Sequence, residues 1–148
     1  MGMYFSEFQE GAVFETRRRT ITEADVVAFA GISGDFNPLH TDEVFAASTP
    51  FGRRVAHGML SVSVATGLAN QLGVFEGTTI GLLNISTDFK APVFFGDSIL
   101  LRLTVAALQP SSKGGRGVVK FRAELVNQKG EAVTDGSWSV MLRDKPAA

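Results

Sequence analysis

From Val55 to Phe75 the chain runs 21 residues without a Lys, Arg, Asp or Glu, and this segment limits the fold more than any other feature. Met59, Leu60, Val62, Val64, Ala65, Leu68, Ala69 and Leu72 would lie on nearly every side of a helix opened by Gly58. A helix apolar all round is buried all round. Length alone would fit a membrane span. The presence of His57, Ser61, Ser63, Thr66, Asn70 and Gln71, of glycines at 58, 67 and 73, and the lack of a flanking Lys/Arg cluster point instead to a helix inside a soluble protein.

Something must wrap that helix, and the residues after Thr78 supply it. Ile80 to Phe89, Asp97 to Gln109, Gly117 to Gln128 and Ala132 to Arg143 read as strands. Period two is clearest where Lys120, Arg122 and Glu124 alternate with Phe121, Ala123 and Leu125. Gly114, Gly115 and Gly117 mark one hairpin turn, and Lys129-Gly130 another. Upstream, Ala12 to Thr20 reads as a short strand whose Arg17, Arg18 and Arg19 end it in solvent. Thr22 and Asp25 form a capping-box pattern before a helix carrying Val26, Phe29 and Ala30, which should end between Gly31 and Gly34. The stretch that follows is rich in turn formers, with one short helix that Thr41 is placed to cap. The expectation is a single α+β domain, residues 1–148, with a curved antiparallel sheet around a central buried helix: a hotdog fold. Such a lone sheet leaves strand edges uncovered, so a homodimer is expected. Lys145 to Ala148 read as a loose tail.

Composition narrows the function. With 45% hydrophobic and 20% charged residues in 148, the chain has the balance of a globular domain. Fourteen Lys and Arg against 15 Asp and Glu leave a net charge of -1, so neither nucleic acid nor an anionic membrane is an expected partner. Having no cysteine, the chain has no disulfide, thiol nucleophile or Cys-ligated metal, which suits a reducing cytoplasm. The acids in MGMYFSEFQEGAVFE are unlike a secretory leader, so a cytoplasmic location is expected.

Two histidines, His40 and His57, stand out. In Gly34-Asp35-Phe36-Asn37-Pro38-Leu39-His40 an acid, an amide and an imidazole fall within six residues, with a proline stiffening the bend. Ionised Asp35 is suited to take a proton from water, and His40, whose kind titrates at roughly pH 7, to give or take the other. This is general acid/base chemistry without a covalent intermediate. No third ligand follows at a recognisable spacing, so no metal is expected, and the reaction asks for no cofactor. His57, just before the apolar helix, reads as a hydrogen-bonding residue at its N-terminus that shapes the Gly58 turn.

The segment Gly34 to His40, followed by Ala56-His57-Gly58-Met59, resembles the MaoC-type (R)-specific enoyl-CoA hydratases. Phe89-Lys90-Ala91-Pro92-Val93 with Gly96-Asp97 is similar to a later strand-turn signature of that family. The resemblance implies a hotdog dimer and reversible addition of water across a trans-2-enoyl thioester, giving the (R)-3-hydroxyacyl product on coenzyme A or an acyl carrier protein. It also implies that Asp35 and His40 are the catalytic pair and that Asn37 helps to orient them. Gly58 matches the glycine whose amide, at the helix N-terminus, would polarise the thioester carbonyl. Thr66 falls where related hydratases carry a small hydroxyl residue near the acid.

Phe36 and Phe51, in the loops around the candidate pair, are the aromatic residues expected to contact an acyl chain. Arg53, Arg54 and Lys90 are expected to meet the phosphates of coenzyme A. A thioesterase on the same architecture and a silent acyl-thioester binder are the competing readings. The adjacent acid and histidine favour hydration over the first, and the intact Asp35, Asn37, His40 and Gly58 argue against the second.

Overall fold

The computed structural model describes residues 1–147. Four long antiparallel strands build the sheet: β3 (Thr79–Phe89), β4 (Ser98–Pro110), β5 (Arg116–Val126) and β6 (Ala132–Arg143). Two short strands, β1 (Val13–Glu15) and β2 (Arg19–Thr20), both pair with β4, and the main path runs β1-β4-β5-β6-β3. The single strand expected over 12–20 is therefore broken in the middle. Thr16 causes the break: its hydroxyl accepts the Leu101 N–H at 2.9 Å and donates to the Arg17 carbonyl, taking places that a ladder would give to main chain.

The sheet curves around α4 (Gly58–Gln71), which packs Leu60, Val64, Ala65, Leu68 and Ala69 against buried residues of β4, β5 and β6. Leu101, Leu103, Phe121, Leu125 and Leu142 are essentially sealed from solvent there. This is the hotdog arrangement, α+β in class. The helix is not covered on every side, however. Met59, Ser63, Thr66 and Asn70, spaced as one stripe, are exposed, beside the outward Ile80, Leu82 and Leu83 of β3. Among the described residues no helix is long and apolar enough to cross a membrane.

The helix α1 (Glu23–Ser33) starts on the expected capping box, with the Thr22 and Asp25 side chains each accepting the other's backbone N–H. It stops at Gly34, whose φ of 75° is the left-handed conformation that a residue with a Cβ rarely takes. Two short helices follow where one was expected: α2 (Pro38–Thr41) and α3 (Glu43–Ala47). Asn37 caps the first with Pro38 at its opening position, and Asp42, not Thr41, caps the second. Thr41 instead closes α2, donating to the Phe36 and Asn37 carbonyls. Lys145, expected in a loose tail, pairs with Glu7 at 2.8 Å, and Asp144 is bonded to Gly115 and Ser6; Ala148 lies outside the described residues.

Candidate active site

The loops after α1 fold over the N-terminal end of α4 and leave a cavity of about 570 Å³ there. Asp35, His40, His57 and Gly58 all line it, so residues up to 23 apart in sequence meet at one wall. Local chemistry explains how. Asn37 donates its N–H to Asp35 Oδ1 at 3.1 Å, while its own Oδ1 accepts the Leu39 N–H at 3.0 Å. One residue thus restrains the carboxylate through its main chain and starts, through its side chain, the helix that carries His40. Asn37 itself does not line the cavity.

His40 Nδ1 lies 2.7 Å from the Val55 carbonyl oxygen. A carbonyl only accepts, so this nitrogen carries a proton and Nε2 is the one left to exchange protons. Val55 and Ala56 are in turn fixed to the β3–β4 connection, by a bridge to Phe94 and by an N–H bond to the Val93 carbonyl at 2.8 Å.

His57 occupies the cap position of α4 without making a side-chain cap bond, contrary to expectation. Its ring turns back across the loop, so that Nε2 lies 2.9 Å from the Asp35 main-chain oxygen. The ring stacks on His40 with centroids 3.9 Å apart and meets the edge of Phe29 at 5.0 Å. The pair therefore has the third neighbour that sequence spacing did not reveal: donor atoms of Asp35, His40 and His57 lie within 4.8 Å of one another. One nitrogen of each ring is already engaged by a carbonyl oxygen, His40 Nδ1 by Val55 and His57 Nε2 by Asp35, which leaves His40 Nε2 free to exchange protons beside the Asp35 carboxylate. Proton exchange fits this geometry better than metal ligation.

Gly58 begins α4, and its N–H is among the first-turn donors that a helix leaves without a partner. The lack of a side chain also has a packing cause that the sequence did not disclose. A Cβ here would come within 2.5 Å of the Phe89 ring.

Thr66 is not brought to this cavity. It is exposed eight residues along the helix, its hydroxyl donates to the Ser63 carbonyl, and it lines a separate pocket beside Leu82 and Trp138. The helix hydroxyl that does line the cavity is Ser61 Oγ, buried and without a hydrogen-bond partner, a residue that sequence reasoning passed over. Its signal was available: a serine one turn inside an otherwise apolar helix start.

Phe51 lines the cavity, whereas Phe36 is 61% exposed and does not. Lys90 also lines it, and the Arg53 guanidinium lies 3.8 Å over the Phe94 ring. Arg54 is committed elsewhere, which corrects its expected phosphate role. It bonds Glu23 of α1 and Glu43 of α3, each at 2.7 Å, and these carboxylates push its pKa above the ordinary arginine value.

Residues 7–127 match the family model described as the MaoC like domain. The (R)-specific enoyl-CoA hydratase of Rhodospirillum rubrum is 37% identical over 140 residues, 94% of this chain and 91% of that protein. The (R)-specific enoyl-CoA hydratase of Aeromonas caviae is 46% identical over 119 residues, covering 80% and 84%. Among solved structures, a protein from Archaeoglobus described as a monoamine oxidase regulatory protein superposes with a TM-score of 0.91 at 37% identity, covering 98% of this chain and 97% of its own.

Proposed function

Because the chain belongs to the MaoC-like domain family, we propose that it is a hydro-lyase, a single-domain cytoplasmic homodimer that adds water to trans-2-enoyl-CoA to give (R)-3-hydroxyacyl-CoA, and reverses that step. The observation that carries the reading is one cavity wall on which Asp35, His40 and the Gly58 end of α4 stand together. The Asp35 carboxylate takes a proton from one water as its oxygen bonds to C3. His40, protonated on Nε2, gives a proton to C2, and Asp35 returns the balance to His40 for the next cycle. Negative charge gathering on the thioester oxygen is met by the Gly58 N–H at the positive end of the helix. Lys90 and Arg53 are the cations proposed for the phosphates of the carrier, and Phe51 and the apolar walls face the acyl chain. Protein groups and water suffice for every step.

Crotonyl-CoA tests the reading directly. Hydration bleaches the conjugated thioester in the ultraviolet without releasing thiol. Thiol release would instead make the protein a thioesterase, and saturable binding with neither change would make it a silent acyl-thioester module.

A further inference from the structure

We propose that His57 is a positioning residue, whose buried ring holds Asp35 by its main chain and His40 by its ring face and so sets the gap across which the two exchange protons. The proposal rests on the hydratase reading above. Three contacts converge on this one side chain: the Asp35 carbonyl at Nε2, the His40 ring on one face and the Phe29 ring at the other end of a T-shaped pair. Only 2% of His57 is exposed. Its Nδ1 is sealed from solvent and has no protein partner.

The contacts also fix the tautomer of the His57 ring. Nε2 carries the proton that the Asp35 carbonyl accepts, and a second proton on Nδ1 would be buried without an acceptor. It would also place a charge 3.9 Å from the His40 ring, which in the proposed step is an imidazolium until it gives its proton to C2. A neutral aromatic face accommodates that imidazolium, whereas a second cation would repel it. The other ionisable groups lining the cavity are Asp35 and Lys90. Because His57 directly precedes Gly58, the same residue joins the acid/base pair to the start of the helix whose amide meets the carbonyl.

Two substitutions separate the contacts. His57→Phe keeps a flat face and removes the donor, while His57→Gln keeps an N–H able to reach the Asp35 carbonyl and removes the face. Steady-state hydration of crotonyl-CoA and proton NMR of the imidazoles are measured on the full chain, after circular dichroism has shown each variant folded. Each substitution should lower kcat about ten- to a hundredfold, the effect of small misplacement, with KM changing less than about twofold. The His40 Cε1 proton should lose its ring-current displacement in His57→Gln and keep it in His57→Phe. Placed on His40→Ala, His57→Gln should cost less than about twofold further, since the face then has no ring to hold. Wild-type kcat in both folded variants, or a full further loss on the His40→Ala background, overturns the proposal. If the wild type does not hydrate crotonyl-CoA, the hydratase reading fails separately. The NMR then decides the placement alone: a His40 signal that loses its ring-current displacement in His57→Gln supports it, and one that stays at the wild-type position overturns it.

Discussion

Gly58 and Phe89 share one corner of the cavity so closely that a Cβ on the glycine would stand 2.5 Å from Cε1 of the ring and 2.9 Å from Cδ1. The glycine therefore answers two demands: the ring that ends β3 needs the space, and the proposed chemistry needs an uncrowded N–H. We predict that Gly58→Val loses activity and lowers Tm, because the half-exposed Phe89 ring must be forced aside. Trimming the neighbour separates the two demands. Gly58→Val/Phe89→Leu should regain most of the lost Tm, yet stay well below Phe89→Leu alone in kcat. If kcat returns together with Tm, the glycine serves packing only and the carbonyl must be sought at another amide.

Asp35 and His40 serve one proposed addition, the first deprotonating the water and the second protonating C2, so their losses should overlap. Asp35→Asn and His40→Ala are each expected to lower kcat by about 10²–10⁴-fold, with the double variant little worse than either. Near-wild-type turnover of crotonyl-CoA by folded Asp35→Asn would remove the pair from the mechanism.

Much of this was legible in the chain. The starts of β3 and β4 fall within one residue of the alternation that marked them, and β6 spans the same residues, because period-two burial and glycine turns are local signals. The Asp35–His40 pair was legible for the same reason: both lie in one short segment. What the sequence concealed depended on contacts between distant segments. His57 read as a cap because it precedes a helix, yet its partner is the Asp35 carbonyl 22 residues earlier. Arg54 read as a free cation, and only the folding of α1 and α3 brings Glu23 and Glu43 to it. The helix, read as buried all round, keeps an open stripe because it holds Ser63, Thr66 and Asn70 on one face.

The cations near the site should accordingly divide in their kinetic effects. Arg54→Ala should lower stability by about 1 kcal/mol, since it unties α1 from α3, and leave KM for crotonyl-CoA nearly unchanged. Lys90→Ala and Arg53→Ala should raise KM severalfold with little loss of Tm. A severalfold rise in KM for folded Arg54→Ala would return that residue to the phosphate site.

The open stripe of α4 adjoins β3, which ends the strand order and carries the exposed Leu82 and Leu83. An 11-residue edge strand with apolar outward positions is suited to pairing with a second copy of itself. Sedimentation should report about twice the chain mass for the wild type. Leu83→Lys, a charge placed on that surface, should shift the protein toward monomer. A wild type that is monomeric and fully active at assay concentration would reject the dimer.

Acid should loosen the site from behind, through α1. The Asp25 carboxylate accepts the Thr22 backbone N–H at 2.9 Å and pairs with Arg19 at 2.9 Å, and these partners, the Thr22 bond first, hold its pKa below the ordinary 3.8. A folded-state value below the unfolded one means that the folded protein binds this proton less tightly. The stabilisation is therefore complete above the unfolded value, and is lost as pH falls through the lower folded one. Tm of the wild type minus Tm of Asp25→Ala should thus be largest near neutrality and shrink below about pH 4. Thr22→Ala, which removes the reciprocal cap, should cost about 1 kcal/mol. Since α1 carries Phe29 behind His57 and ends two residues before Asp35, these variants should lose activity in step with Tm as the assay temperature rises. A difference in Tm that stays constant from pH 7 to pH 3 would mean that the Asp25 charge contributes nothing to holding that helix.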